Sequence, residues 1–372
     1  MASDELDLVE KLLQAFEDVS CKRQQTRIKA YDTMREIWMH YYIPNSLVNR
    51  KMALMASVER SLKKGQEKEL IWAANVIPLL VVQSESIDDV TEIVNLVKPL
   101  LMSIVKDCSV VISNARVQCC TVLGLLFFFA EDDPVEIVTL MKMLQEVLQN
   151  RNIEHDEDGD LYAKVMNSWS LLLTLLTPES IVKQISDGVL LSASYLVEML
   201  GSTRLSVRTV TGKTLALVYE LSVQHDANFL HDELPDLIET IQSLAKDAYR
   251  FQAKEDRKLQ RSIFRDVLHY LQKDVTPELR IKFADETLLL DSWAINHQYT
   301  CLRNMFGSGM NVHLKENLIV RNMLNLGHRM GSTPKYLGKI AKMEQWLSNT
   351  VATKNRSIAR GKERDKRYET LD

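Results

Sequence analysis

A chain of 372 residues, 46 % of them hydrophobic, has enough apolar material for a large core, which excludes a disordered chain. Only 12 Gly and 8 Pro are present, too few for the many turns of an all-β or α/β protein of this length, so helix is the expected class. The formal net charge of −4 hides two poles: residues 311–372 carry 13 Lys and Arg against 6 Asp and Glu, which leaves −11 on the first 310 residues.

The opening MASDELDLVE is acidic and lacks the basic and apolar regions of a secretory signal. The longest apolar run, Val122 to Ala130, is about half of the roughly 20 residues a membrane span needs. Cys21, Cys108, Cys119, Cys120 and Cys301 form no CxxC pair and are odd in number, which reads as reduced, mostly buried thiols. A soluble protein of the cytoplasm, the nucleus or both is expected.

Four short blocks then stand in register: IPLLV, LGLLF, WSLLL and LALVY begin at Ile77, Leu123, Trp169 and Leu215, each 46 residues after the last. That period lies within the ~40–47 residues of HEAT and armadillo repeats. Arg116 and Arg208 stand seven residues before the second and fourth blocks, and Tyr162 takes that place before the third. The flanking patterns agree. SIDDVTEIVNLVKPLLMSIVKD is amphipathic at helical spacing behind a Ser86 cap, SNARVQCCTVLGLLFFFAED is apolar almost all round, and DPVEIVTLMKMLQEVLQN opens with Pro134 in its first turn. STRLSVRTVTGKTLALVYEL and DELPDLIETIQSLAKD repeat this inner and outer pairing. Helix pairs that cannot bury their own apolar faces must stack, so residues 1–275 are expected to form an armadillo- or HEAT-like helical-repeat solenoid, with NRNIEHDEDGD (150–160) as a polar loop between repeats.

Past Pro277 the pattern changes. LRIKFADETLLLDSW alternates like a short strand or hairpin, and helical patterns return after it, which marks 276–334 as a small C-terminal region. Residues 335–372 read as a basic C-terminal helix or tail. The fold class is all-α, a solenoid with a small C-terminal domain ending in that helix.

Motifs of catalysis fail on inspection. TGKT (211–214) lacks the upstream glycine of a phosphate-binding loop, since Val207 stands there, and it lies in a helical pattern. EHDEDGDLY would place Val165 where a calcium loop needs its bidentate glutamate. Gly307 and Gly309 read as a helix stop and the entry to the next helix. His297, Cys301, His313 and His328 have no ligand spacing that fixes them together. No enzyme, metal or cofactor is expected.

The basic end is more specific. Arg356, Arg360, Arg364 and Arg367 are spaced 4, 4 and 3, which on a helix makes one arginine stripe flanked by Lys354, Lys362 and Lys366. It would run about 16 Å at 1.5 Å per residue. Guanidinium groups at this spacing suit a phosphate backbone, whose counterions they release. A nuclear-import patch and a merely solvated tail are the competing readings. A second candidate basic face lies in KEDRKLQRSIFRDVLHYLQ, where Arg257, Arg261 and Arg265 recur every four residues beside Lys258, opposite an expected buried stripe of Leu259, Ile263, Val267 and Tyr270. A solvated face with intrahelical acidic partners competes equally there.

That same segment, with IKFADETLLLDSWAINHQY and MFGSGMNVHLKENLIVRNMLNLG after it, resembles the interferon-related developmental regulator family, and SIARGKERDKR is similar to its basic C-terminal signature. VERSLKKG (58–65) and the helices carrying Arg116 and Arg208 fit as well. The resemblance spans nearly the whole chain. It implies an armadillo-like fold with a family-specific C-terminal domain and no catalytic residues. It also implies two functional classes. The first is a ribosome-binding factor associated with translationally idle ribosomes; joined to the arginine stripe, it becomes a scaffold that binds ribosomes and ribosomal RNA through the basic C-terminal helix and silences translation. The second is a nuclear transcriptional co-regulator whose repeat surface binds corepressor and histone-deacetylase complexes. Neither involves a membrane or a small-molecule substrate. The even arginine spacing exceeds what an import signal requires and favours the first.

Overall fold

The computed structural model describes residues 2–47, 50–84, 86–107, 113–149, 159–246 and 253–327. The final basic segment, including the expected helix from 335, lies outside these residues, as do 150–158 of the expected acidic loop.

Six helices form an inner row: α2 (Gln24–His40), α4 (Glu67–Gln83), α6 (Ser113–Ala130), α8 (Gly159–Leu173), α11 (Leu205–Val223) and α13 (Lys254–Lys273), each packed on the next. The outer helices are α1 (Ala2–Asp18), α3 (Lys51–Lys64), α5 (Ile87–Lys106), α7 (Pro134–Gln149), α9 (Pro178–Ser186), α10 (Ala193–Met199) and α12 (Leu234–Lys246). The architecture is an all-α solenoid. The four blocks with a 46-residue period fall in α4, α6, α8 and α11, and their leading residues Ile77, Leu123, Trp169 and Leu215 are all buried where successive inner helices meet. The units are not uniform. One outer helix separates α4 from α6 and α6 from α8, but α9 and α10 both lie between α8 and α11.

Local chemistry explains the helix starts. Ser86 accepts a hydrogen bond from Asp88 N at the head of α5, and Thr177 and Ser192 cap α9 and α10 in the same way. The arginines before the blocks bind back to the preceding segment: Arg116 donates to Val105 O, and Arg208 to Ser202 O and Thr203 O. These bonds satisfy carbonyls that a turn would otherwise leave without a partner.

The C-terminal region folds back onto the inner row. A hairpin of β1 (Leu279–Phe283) and β2 (Glu286–Leu290), with Leu279 opposite Leu290 and Phe283 opposite Glu286, leads into α14 (Trp293–Phe306), α15 (Met310–Glu316) and α16 (Leu318–Met323). Arg321, 1 % exposed, grips Glu286 with two guanidinium bonds of 3.0 and 2.7 Å and so ties α16 to the hairpin turn. α14 lies across α8 and α11, and α15 reaches α2. Glu220 of α11 accepts from Trp293 N and Ala294 N, which closes the first turn of α14 with a carboxylate. At the other end, the Nε2–H of His313 donates to Trp38 O and Met39 O, its ring stacks 3.8 Å from Phe306, and Asn317 donates to Val82 O of α4.

Gly307 ends α14 with φ +54°, a left-handed conformation that favours glycine, and Gly309 abuts the backbone of α2. A methyl group at Gly309 would overlap the Met39 carbonyl. Gly309→Ala should therefore cost about 1–3 kcal/mol in urea denaturation and raise protease sensitivity around the hairpin.

His313 is fully buried, and burial pushes its pKa down to about 4 despite the two carbonyls facing it. Unfolded, it would titrate near 6.5, so the unfolded chain takes up the proton first as pH falls. Stability is then complete above pH 6.5 and declines toward pH 4, by about 2 kcal/mol between pH 6.5 and 5 for this residue. Urea midpoints at pH 7 and pH 5 should differ more for the native protein than for His313→Gln.

Candidate nucleic-acid interface

Helix α13 owes its orientation to what its inner face touches. Glu255 and Asp256 in its first turn and Lys273 in its last complement the helix dipole. Phe264 is fully buried against Gly212 of α11, where a methyl group would stand 2.7 Å from the Phe264 ring; this close approach accounts for the glycine in TGKT. The Tyr270 ring meets Tyr219 edge-on at 6.1 Å and Trp293 at 5.9 Å. Gln260, buried, accepts from Arg208 Nη2 at 2.9 Å and donates to Leu244 O at 3.2 Å, joining α11, α12 and α13.

Of the expected buried stripe, Val267 and Tyr270 are buried and Leu259 is not. Leu259 is 51 % exposed, and Gln260 takes the inward position because Arg208 and Leu244 O supply its partners. The true inner face is Gln260, Phe264, Val267, Tyr270 and Leu271, with Ile263 half-buried.

Opposite that face, Lys258, Arg261 and Arg265 are exposed and Arg257 is half-buried. Two open clefts flank the ridge formed by Arg261 and Arg265. One, of about 340 Å³, is also lined by Gln242, Lys246 and Leu268; the other, of about 410 Å³, by Lys258, Ser262 and Asp266. Among the described residues none of the four α13 cations is in an ion pair; the Arg261 Nε instead donates to Arg257 O at 3.3 Å. Intrahelical acidic partners therefore do not account for this face. Lys246 joins it from the last turn of α12, a residue that the amphipathic pattern of α12 gave no reason to single out.

The primary candidate residues, Lys354, Arg356, Arg360, Lys362, Arg364, Lys366 and Arg367, lie outside the described residues, as does His328. His297 and Cys301 share one face of α14, with Sγ 3.7 Å from Nε2, and His297 donates to Asn167 O of α8. His313 packs at the far end of the C-terminal region on α2. Among the described residues no three His, Cys, Asp or Glu side chains are grouped to hold a metal ion. Cys119 and Cys120 are buried, Cys301 is half-buried, and Cys21 departs from the expected burial by lying exposed after α1. No helix among the described residues is long and apolar enough to cross a membrane.

Arg208→Ala should cost about 2–4 kcal/mol, because it strands the Gln260 oxygen and two carbonyls in the interior. Arg261→Glu with Arg265→Glu should stay within about 0.5 kcal/mol of the native protein per residue. Paired urea melts of the two variants check both statements.

Comparison with known proteins matches residues 1–272 to the interferon-related developmental regulator family and residues 317–368 to the interferon-related protein conserved region. Interferon-related developmental regulator 2 of Mus musculus is 31 % identical over 99 % of this chain and 85 % of its own length. Interferon-related developmental regulator 1 of Homo sapiens is 30 % identical over 97 % of this chain and 81 % of its own. Among solved structures, an engineered protein covers 72 % of this chain and is itself 96 % covered, with a TM-score of 0.42 at 14 % identity.

Proposed function

The chain belongs to the interferon-related developmental regulator family, and from that premise we propose that it is a non-enzymatic scaffold that binds ribosomal RNA and silences translation. The observation that carries this reading is the arginine stripe Arg356, Arg360, Arg364 and Arg367 at the end of a chain whose first 310 residues carry −11. An acidic body is repelled from an RNA surface, so contact concentrates where the positive charge does. The exposed cations of α13 add a second basic face on the array itself. Occupying a ribosomal site that messenger or transfer RNA needs would hold the ribosome idle. The protein would then act in the cytoplasm, with the tail also able to serve as a nuclear-import patch.

The co-regulator reading asks the repeat surface to bind corepressor complexes. Solenoids present their inner face to partners. Here α14 and α15 occupy part of that face, at α2, α8 and α11, which narrows the surface left for a protein partner.

Co-sedimentation with purified ribosomes across a salt series tests the reading. The native protein should bind with an affinity that falls steeply with salt. Changing Arg356, Arg360, Arg364 and Arg367 to Glu should abolish binding, while changing them to Lys should weaken it wherever a guanidinium grips phosphate with two bonds. Equal sedimentation of the native and Glu variants would overturn the tail as the anchor.

A further inference from the structure

Helix α14 covers only part of the inner row. It lies against the C-terminal halves of α8 and α11, with His297 bonded to Asn167 O and Gln298 donating to Thr174 Oγ1 just past α8, and Glu220 of α11 closing its first turn. Among the described residues, nothing packs over an inner strip on the N-terminal halves of those helices. On α8 it exposes Asp160 and Lys164, and on α11 Ser206 and Lys213 with half-buried Thr209. On α13 the strip continues through Ser262, Arg265, Asp266 and His269. Each successive inner helix thus contributes a cation: Lys164, then Lys213, then Arg265 with Lys258 and Arg261 beside it.

The positions are adjacent in space. α8 packs on α11 and α11 on α13, with Gly212, next to Lys213, touching Phe264, next to Arg265. Lys164 and Lys213 both act on the Cys301 thiol of α14, and Lys213 acts on Asp266 of α13. Desolvation by the surrounding protein lowers the Lys213 pKa, although its side chain keeps exposure to solvent. Among the described residues neither Lys164 nor Lys213 is in an ion pair, and Asp160, Glu255 and Asp266 are the acidic groups of the strip. Five cations face three carboxylates there.

We propose that Lys164, Lys213, Lys258, Arg261 and Arg265 form one track for an RNA phosphate backbone along the free inner strip of the array, bounded by α14. With helices about 8–10 Å apart, the track from α8 to α13 spans roughly 20 Å, enough for several consecutive phosphates. Successive helices that each offer a cation give contacts in a line, and RNA presents its charge in a line. The proposal rests on the RNA-binding reading and extends it from the tail to the body of the protein.

The test uses the full chain, a short mixed-sequence single-stranded RNA, the corresponding RNA duplex and polyglutamate, each fluorescently labelled and titrated by anisotropy over a salt series. Lys164→Met with Lys213→Met removes both charges and keeps the length of the side chains. Because desolvation disfavours the Lys213 charge, this variant should melt at the same temperature as the native protein or higher. Its RNA affinity should fall at least about tenfold, and the slope of log affinity against log salt should shrink by about two. The variant with Glu at Arg356, Arg360, Arg364 and Arg367 is run beside it. Native affinity and slope in the Met variant, with loss only in the tail variant, would overturn the track and leave the tail anchor standing. A lowered melting temperature in the Met variant would assign Lys213 to the fold instead. Loss of polyglutamate binding with RNA binding intact would mark the strip as a peptide groove and overturn the proposal. If the native protein binds no RNA at all, the RNA-binding reading falls first and the track with it.

Discussion

The docking of the C-terminal region onto the inner row is the constraint on which the rest of the structure depends. A solenoid's ends are ordinarily joined only through the helices between them, since each repeat touches its neighbours alone. Here one compact segment reaches α2 and α4 through His313 and Asn317, and α8 and α11 through α14. It adds contacts of very long sequence separation to an otherwise local fold. The early and late inner helices are therefore tied together by a strut and not only through the repeats between them.

The strut's contacts are polar where it meets backbone. Glu220 meets two N–H groups, His313 two carbonyls and Asn317 one, and each pairing satisfies groups that burial would otherwise penalise. Apolar burial gives such an interface its stability, but directed hydrogen bonds select one seating. Gly309 has the same role in steric form, since only its missing side chain lets α15 approach Met39. Among the described residues, the strut also divides the inner face into a covered part and an open cationic strip. The location of the proposed RNA contact thus follows from how the chain packs on itself.

Much of this was legible in the sequence. The 46-residue blocks identify successive inner helices, Ser86 marks the start of α5, and the alternating stretch after Pro277 is the hairpin. What the sequence did not disclose has one physical cause: it depends on partners far away in the chain. Gln260 points inward and Leu259 outward because Arg208, 52 residues earlier, holds the glutamine oxygen. Hydrophobic periodicity weighs each residue by its own polarity and assigns those two the wrong way round. The seating of His313 on Trp38 and Met39 spans about 275 residues, and no local pattern encodes it. On the cationic strip, Lys164 and Lys213 look like ordinary exposed lysines until α8, α11 and α13 are laid side by side.

Hydrogen exchange of the free protein, read by mass spectrometry, tests the central claim most directly. If the C-terminal region is a strut integral to the array, the amides of α14 and α15 will be protected as strongly as those of α8 and α11 and will open together with them. Rapid exchange of α14 and α15 while α8 and α11 stay protected would show that the region is not held on the inner face, and would contradict the account.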